Sequence, residues 1–170
     1  MSPARHVYAI GLGSNRRHGR HGAPTRVVAA AARALADHGE LIALSRVAGS
    51  APLGPSRRRF ANAALLLATA LDPPALLGAA QRIERAFGRR PGRRWGARVI
   101  DVDLLLWSGG PYAGPGLLLP HPALRDRAFV LDPLAELAPG WRDPLSGRSV
   151  RQLRARLRRP APVDRVPPPP

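Results

Sequence analysis

Two helix-length segments with start and stop signals divide this sequence, and what surrounds them leaves few folds open. Residues 24–39, PTRVVAAAARALADHG, place proline in the first turn and glycine just past the last. Residues 72–88, DPPALLGAAQRIERAFG, open on Asp72 as a capping side chain and stop at Gly88. Leu76, Leu77, Ala80, Ile83 and Phe87 share one face of that helix. Ahead of the first helix, HVYAIGLGSN (6–15) reads as a strand ending in a glycine turn. Between the helices, ELIALSRVAGS (40–50) and FANAALLLATA (60–70) read as strands joined by the Pro/Gly-rich loop 51–59. A further apolar run, ending at Trp107, follows the second helix. The order β-α-β-β-α-β predicts an α+β, ferredoxin-like core with helices on one face of an antiparallel sheet, plus a C-terminal extension. Short helical turns are expected within 120–141 and a basic helix over 149–159. The end, PAPVDRVPPPP (160–170), has nothing to bury and is expected to be a disordered proline-rich tail, leaving one domain over 1–159.

The fourth strand poses a problem of charge. Val99 to Trp107 reads VIDVDLLLW, an apolar run holding Asp101 and Asp103. Alternation along a strand sends both carboxylates to the same face. Charge in a buried strand is costly unless it is paired or binds a metal. A lone Asp-x-Asp is also consistent with two carboxylates neutralised by nearby arginines. The context favours a site: Arg94, Trp95 and Arg98 precede the pair, and His121 and Arg127 follow it. Carboxylates for Mg²⁺, guanidiniums for phosphate oxygens and an aromatic ring for a base are the parts of a phosphoryl-transfer site. The remaining histidines, His6, His18, His21 and His38, read as structural or solvated.

Composition narrows the alternatives. The 27 basic residues are all arginine and outweigh 11 acidic ones, for a net charge of +16. Such a field attracts polyanions, nucleoside triphosphates included. Without lysine, a phosphate-binding P-loop is ruled out, and Gly11-x-Gly13 lacks the later glycine of a dinucleotide fingerprint, so a plain turn is expected there. With no cysteine, disulfides, thiolate metal sites and cysteine nucleophiles are excluded. The first residues lack a signal-peptide layout, and FANAALLLATAL is too short to span a bilayer, so a soluble cytoplasmic protein is expected. The basic loop RRHGRHG (16–22) is expected to be mobile.

The segments GSN (13–15), PLG (52–54), FANAAL (60–65), QRIERAFGR (81–89), RRWGARVIDVDLLLW (93–107) and LPHPALRDRAFVLDPLAELAP (119–139) together resemble the 6-hydroxymethyl-7,8-dihydropterin pyrophosphokinase family of folate biosynthesis. The resemblance runs from about Val7 to Gly140. It implies ATP as co-substrate, a pterin alcohol as acceptor and two Mg²⁺ ions at Asp101 and Asp103. It implies catalytic roles for Asp101, Asp103, Arg89 and Arg98, with Arg90 in the same closing loop. Gln81, Glu84, Arg94, Trp95, Arg98, Ile100, His121 and Arg127 would contact the nucleotide. Ser50, Leu53, Phe60, Asn62, Trp95, Asp101 and Phe129 would hold the pterin, stacked between the two phenylalanines. Ala51 stands where family members often have proline, Phe60 stands for a frequent tyrosine, and the loop 88–95 is short and arginine-rich.

The implied reaction is in-line attack of the pterin hydroxymethyl oxygen on the β-phosphorus, with AMP leaving. The hydroxyl proton would go to Asp103 or to water. A monomer acting on small molecules is expected, without nucleic-acid or membrane partners. The rival reading, an RNA- or DNA-binding module, lacks the aromatic-rich strands that stack bases. A homologue that binds pterin without turnover is disfavoured by the presence of Asp101, Asp103, His121 and Arg98.

Overall fold

The computed structural model describes residues 5–50, 60–88 and 99–158. Leu53, Arg89, Arg90, Arg94, Trp95, Arg98 and the expected tail 160–170 lie outside the described residues. Strand β1 (His6–Ser14) runs antiparallel between β4 (Phe60–Thr69) and β5 (Asp101–Trp107). Strands β2 (Glu40–Leu44) and β3 (Ala48–Ser50) both pair with the other side of β4, giving the order β2-β4-β1-β5. The single strand expected over 40–50 is therefore two. Ser45 breaks it: its N–H donates to Ala64 O at 2.9 Å, and its hydroxyl accepts the Ala64 N–H at 2.9 Å. A side chain thus occupies one rung where backbone would otherwise stand.

One face of the sheet is the main core. Tyr8, Ile10, Leu12, Leu65, Leu67, Val102 and Leu104 pack there against α1 (Pro24–Ala36) and α2 (Pro73–Ala86), which contribute Val27, Val28, Leu35, Leu76 and Ile83. The caps agree with the sequence signals for α2: Asp72 accepts the Ala75 N–H at 2.9 Å, and Gly88 follows the helix at φ +91°. Gly39 has a different reason from the one its position suggested. A β-carbon there would collide with the carbonyl oxygen of Ala68, so this glycine permits α1 to turn closely onto β4.

The C-terminal extension covers the opposite face. Ala9, Ala64, Leu66, Leu105 and Leu106 pack against Leu124, against Leu131 and Leu134 of α3 (Ala128–Leu137), and against Val150 and Leu153 of α4 (Val150–Leu157). A register shift between Ala9 and Ile10 leaves Leu105 as an extra residue in β5, so Leu105 and Leu106 both join this second cluster. Helices on one face thus describes the two core helices, and the extension adds a third layer. The sequence reading missed the hairpin of β6 (Tyr112–Gly114) and β7 (Leu117–Leu119), which adds Leu117 and Leu119 to the main core. Its strands have three residues each, too short for alternation to show.

The basic loop makes contacts of its own. His18 and Gly22 exchange backbone hydrogen bonds, and His18 Nδ1 accepts the N–H groups of Arg20 and His21. The rings of His18 and His21 pack on Phe87, with centroids 5.7 and 4.8 Å away. Among the described residues, no helix is long and apolar enough to cross a membrane.

Two interactions compete to explain how α4 is held. Leu153 is 5% exposed in the second cluster, whereas Asp132 accepts from Arg154 and Arg158 at 2.6 and 2.8 Å on a partly exposed surface. Leu153→Ala should cost about 2–5 kcal/mol of unfolding free energy. Asp132→Asn should cost no more than about 1 kcal/mol. Burial alone would raise the Asp132 pKa, but the bonds from Arg154 and Arg158 hold it below the ordinary range. Its contribution is therefore complete at neutral pH and is lost as pH falls through that depressed value. Urea denaturation at pH 7 and pH 3 checks both: the Asp132→Asn deficit should shrink at the lower pH, and a larger deficit than that of Leu153→Ala would reverse the ranking.

Candidate active site

The register of β1 against β5 places Asp101 opposite Gly13 and Asp103 opposite Gly11. Directly opposed residues project to the same face, so each aspartate faces a strand position that carries no side chain. Among the described residues, a β-carbon at Gly13 would meet Asn62 Oδ1 at 3.3 Å, and one at Gly11 would meet the Leu105 side chain first. Gly13 also pairs with Asn62 of β4, so Asn62, Gly13 and Asp101 form one row across three strands. The expected glycine turn is thus corrected: Gly11 and Gly13 lie within β1 and lower the floor beside the carboxylates. Two glycines at i and i+2 inside a strand pattern were the available signal. Asp101 and Asp103 are both partly exposed, on the face of the sheet that the second cluster occupies further along.

The segment after β7 brings the next groups in. His121 donates its N–H to Leu105 O at 2.9 Å, which ties the segment to β5. Its Nδ1 accepts the Ala123 N–H at 3.0 Å and caps the 3-10 turn Pro122–Arg125. A ring that accepts at Nδ1 carries its neutral-state proton on Nε2. That nitrogen faces Asp103 Oδ1 across 4.0 Å. Burial lowers the His121 pKa and Arg127 lowers it further, against the opposing pull of Asp103. His121 therefore presents a neutral N–H donor at neutral pH. Arg127 is exposed, with its guanidinium 5.7 Å from the Phe129 ring at the start of α3.

The other expected site residues divide by burial. Phe60 is partly exposed and shares the face of Asn62 by strand alternation, while Asn62 is 5% exposed. Ser50 pairs with Phe60 through β3. Gln81 is exposed on α2, but Glu84 is 5% exposed, and its Oε1 accepts the Val102 N–H at 3.0 Å. Their spacing of three therefore does not give them one environment: Glu84 holds the outer edge of β5. Ile100 is 1% exposed within the main core, so its side chain packs inward and only its backbone is left for a ligand. With Glu84 bonded to the β5 backbone, Glu84→Ala should lower the unfolding free energy of the ligand-free protein by about 1–3 kcal/mol. Chemical denaturation without nucleotide measures this, and unchanged stability would leave Glu84 only a ligand role.

The chain is similar to known proteins along most of its length. The family model for 7,8-dihydro-6-hydroxymethylpterin-pyrophosphokinase (HPPK) matches residues 9–139. A protein of Methylorubrum extorquens named 2-amino-4-hydroxy-6-hydroxymethyldihydropteridine pyrophosphokinase is 46% identical over 107 residues, 63% of this chain and 66% of that one. One of the same name from Synechocystis is 40% identical over 104 residues, 61% of this chain and 53% of that one, so the chain spans about half of that relative. A third, from Pseudomonas aeruginosa, is 45% identical over 116 residues, 68% of this chain and 71% of its own length. Among solved structures, wild-type Plasmodium falciparum HPPK-DHPS with pteroate superposes with a TM-score of 0.68 at 13% identity, over 92% of this chain and 43% of that one. At that identity the superposition speaks for the fold alone. With the family model running from the middle of β1 to the end of α3, through both aspartates and His121, the chain belongs to the HPPK family.

Proposed function

We propose that the protein transfers the intact diphosphate of ATP to the hydroxymethyl group of 6-hydroxymethyl-7,8-dihydropterin, releasing AMP, in tetrahydrofolate biosynthesis. The observation that carries this is the side-by-side placement of Asp101 and Asp103 over a floor of glycine, with His121 at 4.0 Å, in a chain of this family. It acts as a cytoplasmic monomer on small molecules, without nucleic-acid or membrane partners. Its positive field draws in the triphosphate.

The donor set suits Mg²⁺, which takes oxygen ligands. Among the described residues, no group of three or more His, Cys, Asp or Glu side chains could hold an ion alone. A pair of carboxylates, with substrate phosphates supplying the rest, is a common way for a protein to take Mg²⁺. Asp101 and Asp103 would hold two such ions, which neutralise phosphate charge when bound. The chain's own residues supply position and charge. His121 offers its Nε2–H to a phosphate oxygen, and Arg127 offers its guanidinium beside it. Arg89, Arg90, Arg94 and Arg98 would close over the phosphates, with Trp95, Gln81 and the Ile100 backbone at the nucleoside. Phe60 and Phe129 stack the pterin, and Asn62, with the backbone at Ser50 and Leu53, takes its hydrogen-bonding edge. The new bond joins the hydroxymethyl oxygen to the β-phosphorus. The bond from that phosphorus to the bridging α–β oxygen breaks, and the hydroxyl proton leaves to Asp103 or to water.

The discriminating assay mixes the purified protein with Mg-ATP and the pterin alcohol. AMP should appear, one per pterin diphosphate, and Asp103→Ala should abolish it while leaving the far-UV spectrum intact. ADP as the main product would overturn this reading. A second test uses the floor. Gly13 does not need a left-handed backbone, but a β-carbon there would stand 3.3 Å from Asn62 Oδ1, so Gly13→Val should fold with a modestly lowered melting temperature as Asn62 gives way. Its added methyl groups enter the row of Asn62 and Asp101, and pterin KM should rise about tenfold or more, equivalent to about 1.4 kcal/mol. Unchanged pterin KM would place the ring elsewhere.

A further inference from the structure

The segment 121–129 carries His121, Arg127 and Phe129, and it is held at its start and in its middle. At its start, the His121 N–H is bonded to Leu105 O, as described. In its middle, Arg125 reaches across to a loop beyond the region that the family model matches. Arg125 Nε donates to Asp143 Oδ2 at 2.7 Å and Nη2 to Asp143 Oδ1 at 2.8 Å, a two-pronged pair that fixes both guanidinium plane and distance. The Asp143 side chain is fully buried. Its Oδ1 also accepts the Leu145 N–H at 3.0 Å, and its Oδ2 accepts the Ser146 hydroxyl. The backbone closes the same loop, from Asp143 N–H to Arg148 O at 2.9 Å and from Gly147 N–H to Asp143 O at 2.8 Å.

Four donors thus fill one carboxylate before any ligand arrives, and two of them come from the segment that carries the site. Burial pushes the Asp143 pKa up, but the bonds from Arg125, Ser146 and Leu145 outweigh it and keep the group ionised at neutral pH. An ionised, buried and saturated carboxylate resists displacement. Arg125 lies four residues past His121 and two before Arg127, with fully buried Leu124 between as the packing anchor.

We propose that Asp143 is a positioning residue: through Arg125 it fixes the segment 121–129, and so the placement of His121, Arg127 and Phe129 toward the substrates. This rests on the pyrophosphokinase reading for its effect on turnover, but not for its effect on the segment.

The test separates those two. In Asp143→Asn, read well below its melting transition, hydrogen exchange at the His121 and Leu124 amides should speed up by at least about tenfold, while the β1–β4 ladder is unchanged. The kcat for AMP formation should fall about 10- to 100-fold, the scale expected when reacting groups are displaced by about an ångström. A merely structural pair would lower the melting temperature and leave both the kcat of the folded enzyme and the relative exchange pattern as in wild type. The paired variant Arg125→Met/Asp143→Leu removes the clamp without burying a lone charge. It should fold and still show the faster local exchange and low kcat. It decides the matter if Asp143→Asn fails to fold. Wild-type turnover in the paired variant, or exchange raised equally at the segment and the ladder, would overturn the proposal. A wild-type protein that forms no AMP would count against the pyrophosphokinase reading, while local exchange would still judge Asp143.

Discussion

The pairing of β1 with β5 decides on which side of the sheet two carboxylates stand. With Gly13 opposite Asp101 and Gly11 opposite Asp103, both aspartates face away from the main core, and Val102 and Leu104 face into it. A slip of one residue would exchange the two sets and bury the charges. The cost of burying unpaired carboxylates makes that alternative far worse, so the same physics that builds the core also builds the site. The nine-position register of β1 with β4 then brings Asn62 into the row of Gly13 and Asp101.

The second constraint is area. Two helices cover one face of the sheet, and the extension of the 3-10 turn, α3 and α4 covers the other around Ala9, Ala64, Leu105 and Leu106. The segment 121–129 links the second cluster, through Leu124, to the aspartate end of β5, through His121. Its residues can therefore be anchored from behind, at Leu124, while His121 turns toward Asp103. Three acidic groups elsewhere are paired with arginines: Asp143 with Arg125, Asp132 with Arg154 and Arg158, and Glu40 with Arg5. The chain still carries 27 arginines against 11 acidic residues, so its field stays positive.

Much of this was legible in the residues. Helix α2 carried its own cap and stop, and the Asp-x-Asp pattern in an apolar run could only mean paired charges on one face. What stayed hidden depended on distant partners. Nothing local in 40–50 says that Ser45 will replace a rung, because the rung belongs to Ala64. Gly11 and Gly13 looked like a turn because glycine usually makes one, and only the register shows that they clear space beside Asp101 and Asp103. Glu84 shares a helical spacing with Gln81, yet the edge of β5 draws it into the interior. Arg125 and Asp143 are 18 residues apart and have no shared periodicity.

The treatment of the sheet edges bears on how the molecule behaves in a crowd. At one edge Glu84 takes the Val102 N–H that an added strand would need, and at the other the register shift between Leu41 and Ala43 kinks β2 just where Ile42 is 50% exposed. Among the described residues, neither β5 nor β2 is left as a straight template for another chain. Close approach of two molecules is then governed chiefly by the repulsion of +16 charges, which reaches only about 10 Å at 0.1 M salt. Colloidal stability in this protein is thus a property of its solvent: ample in dilute buffer, and resting on the blunted edges alone once salt has screened the charge.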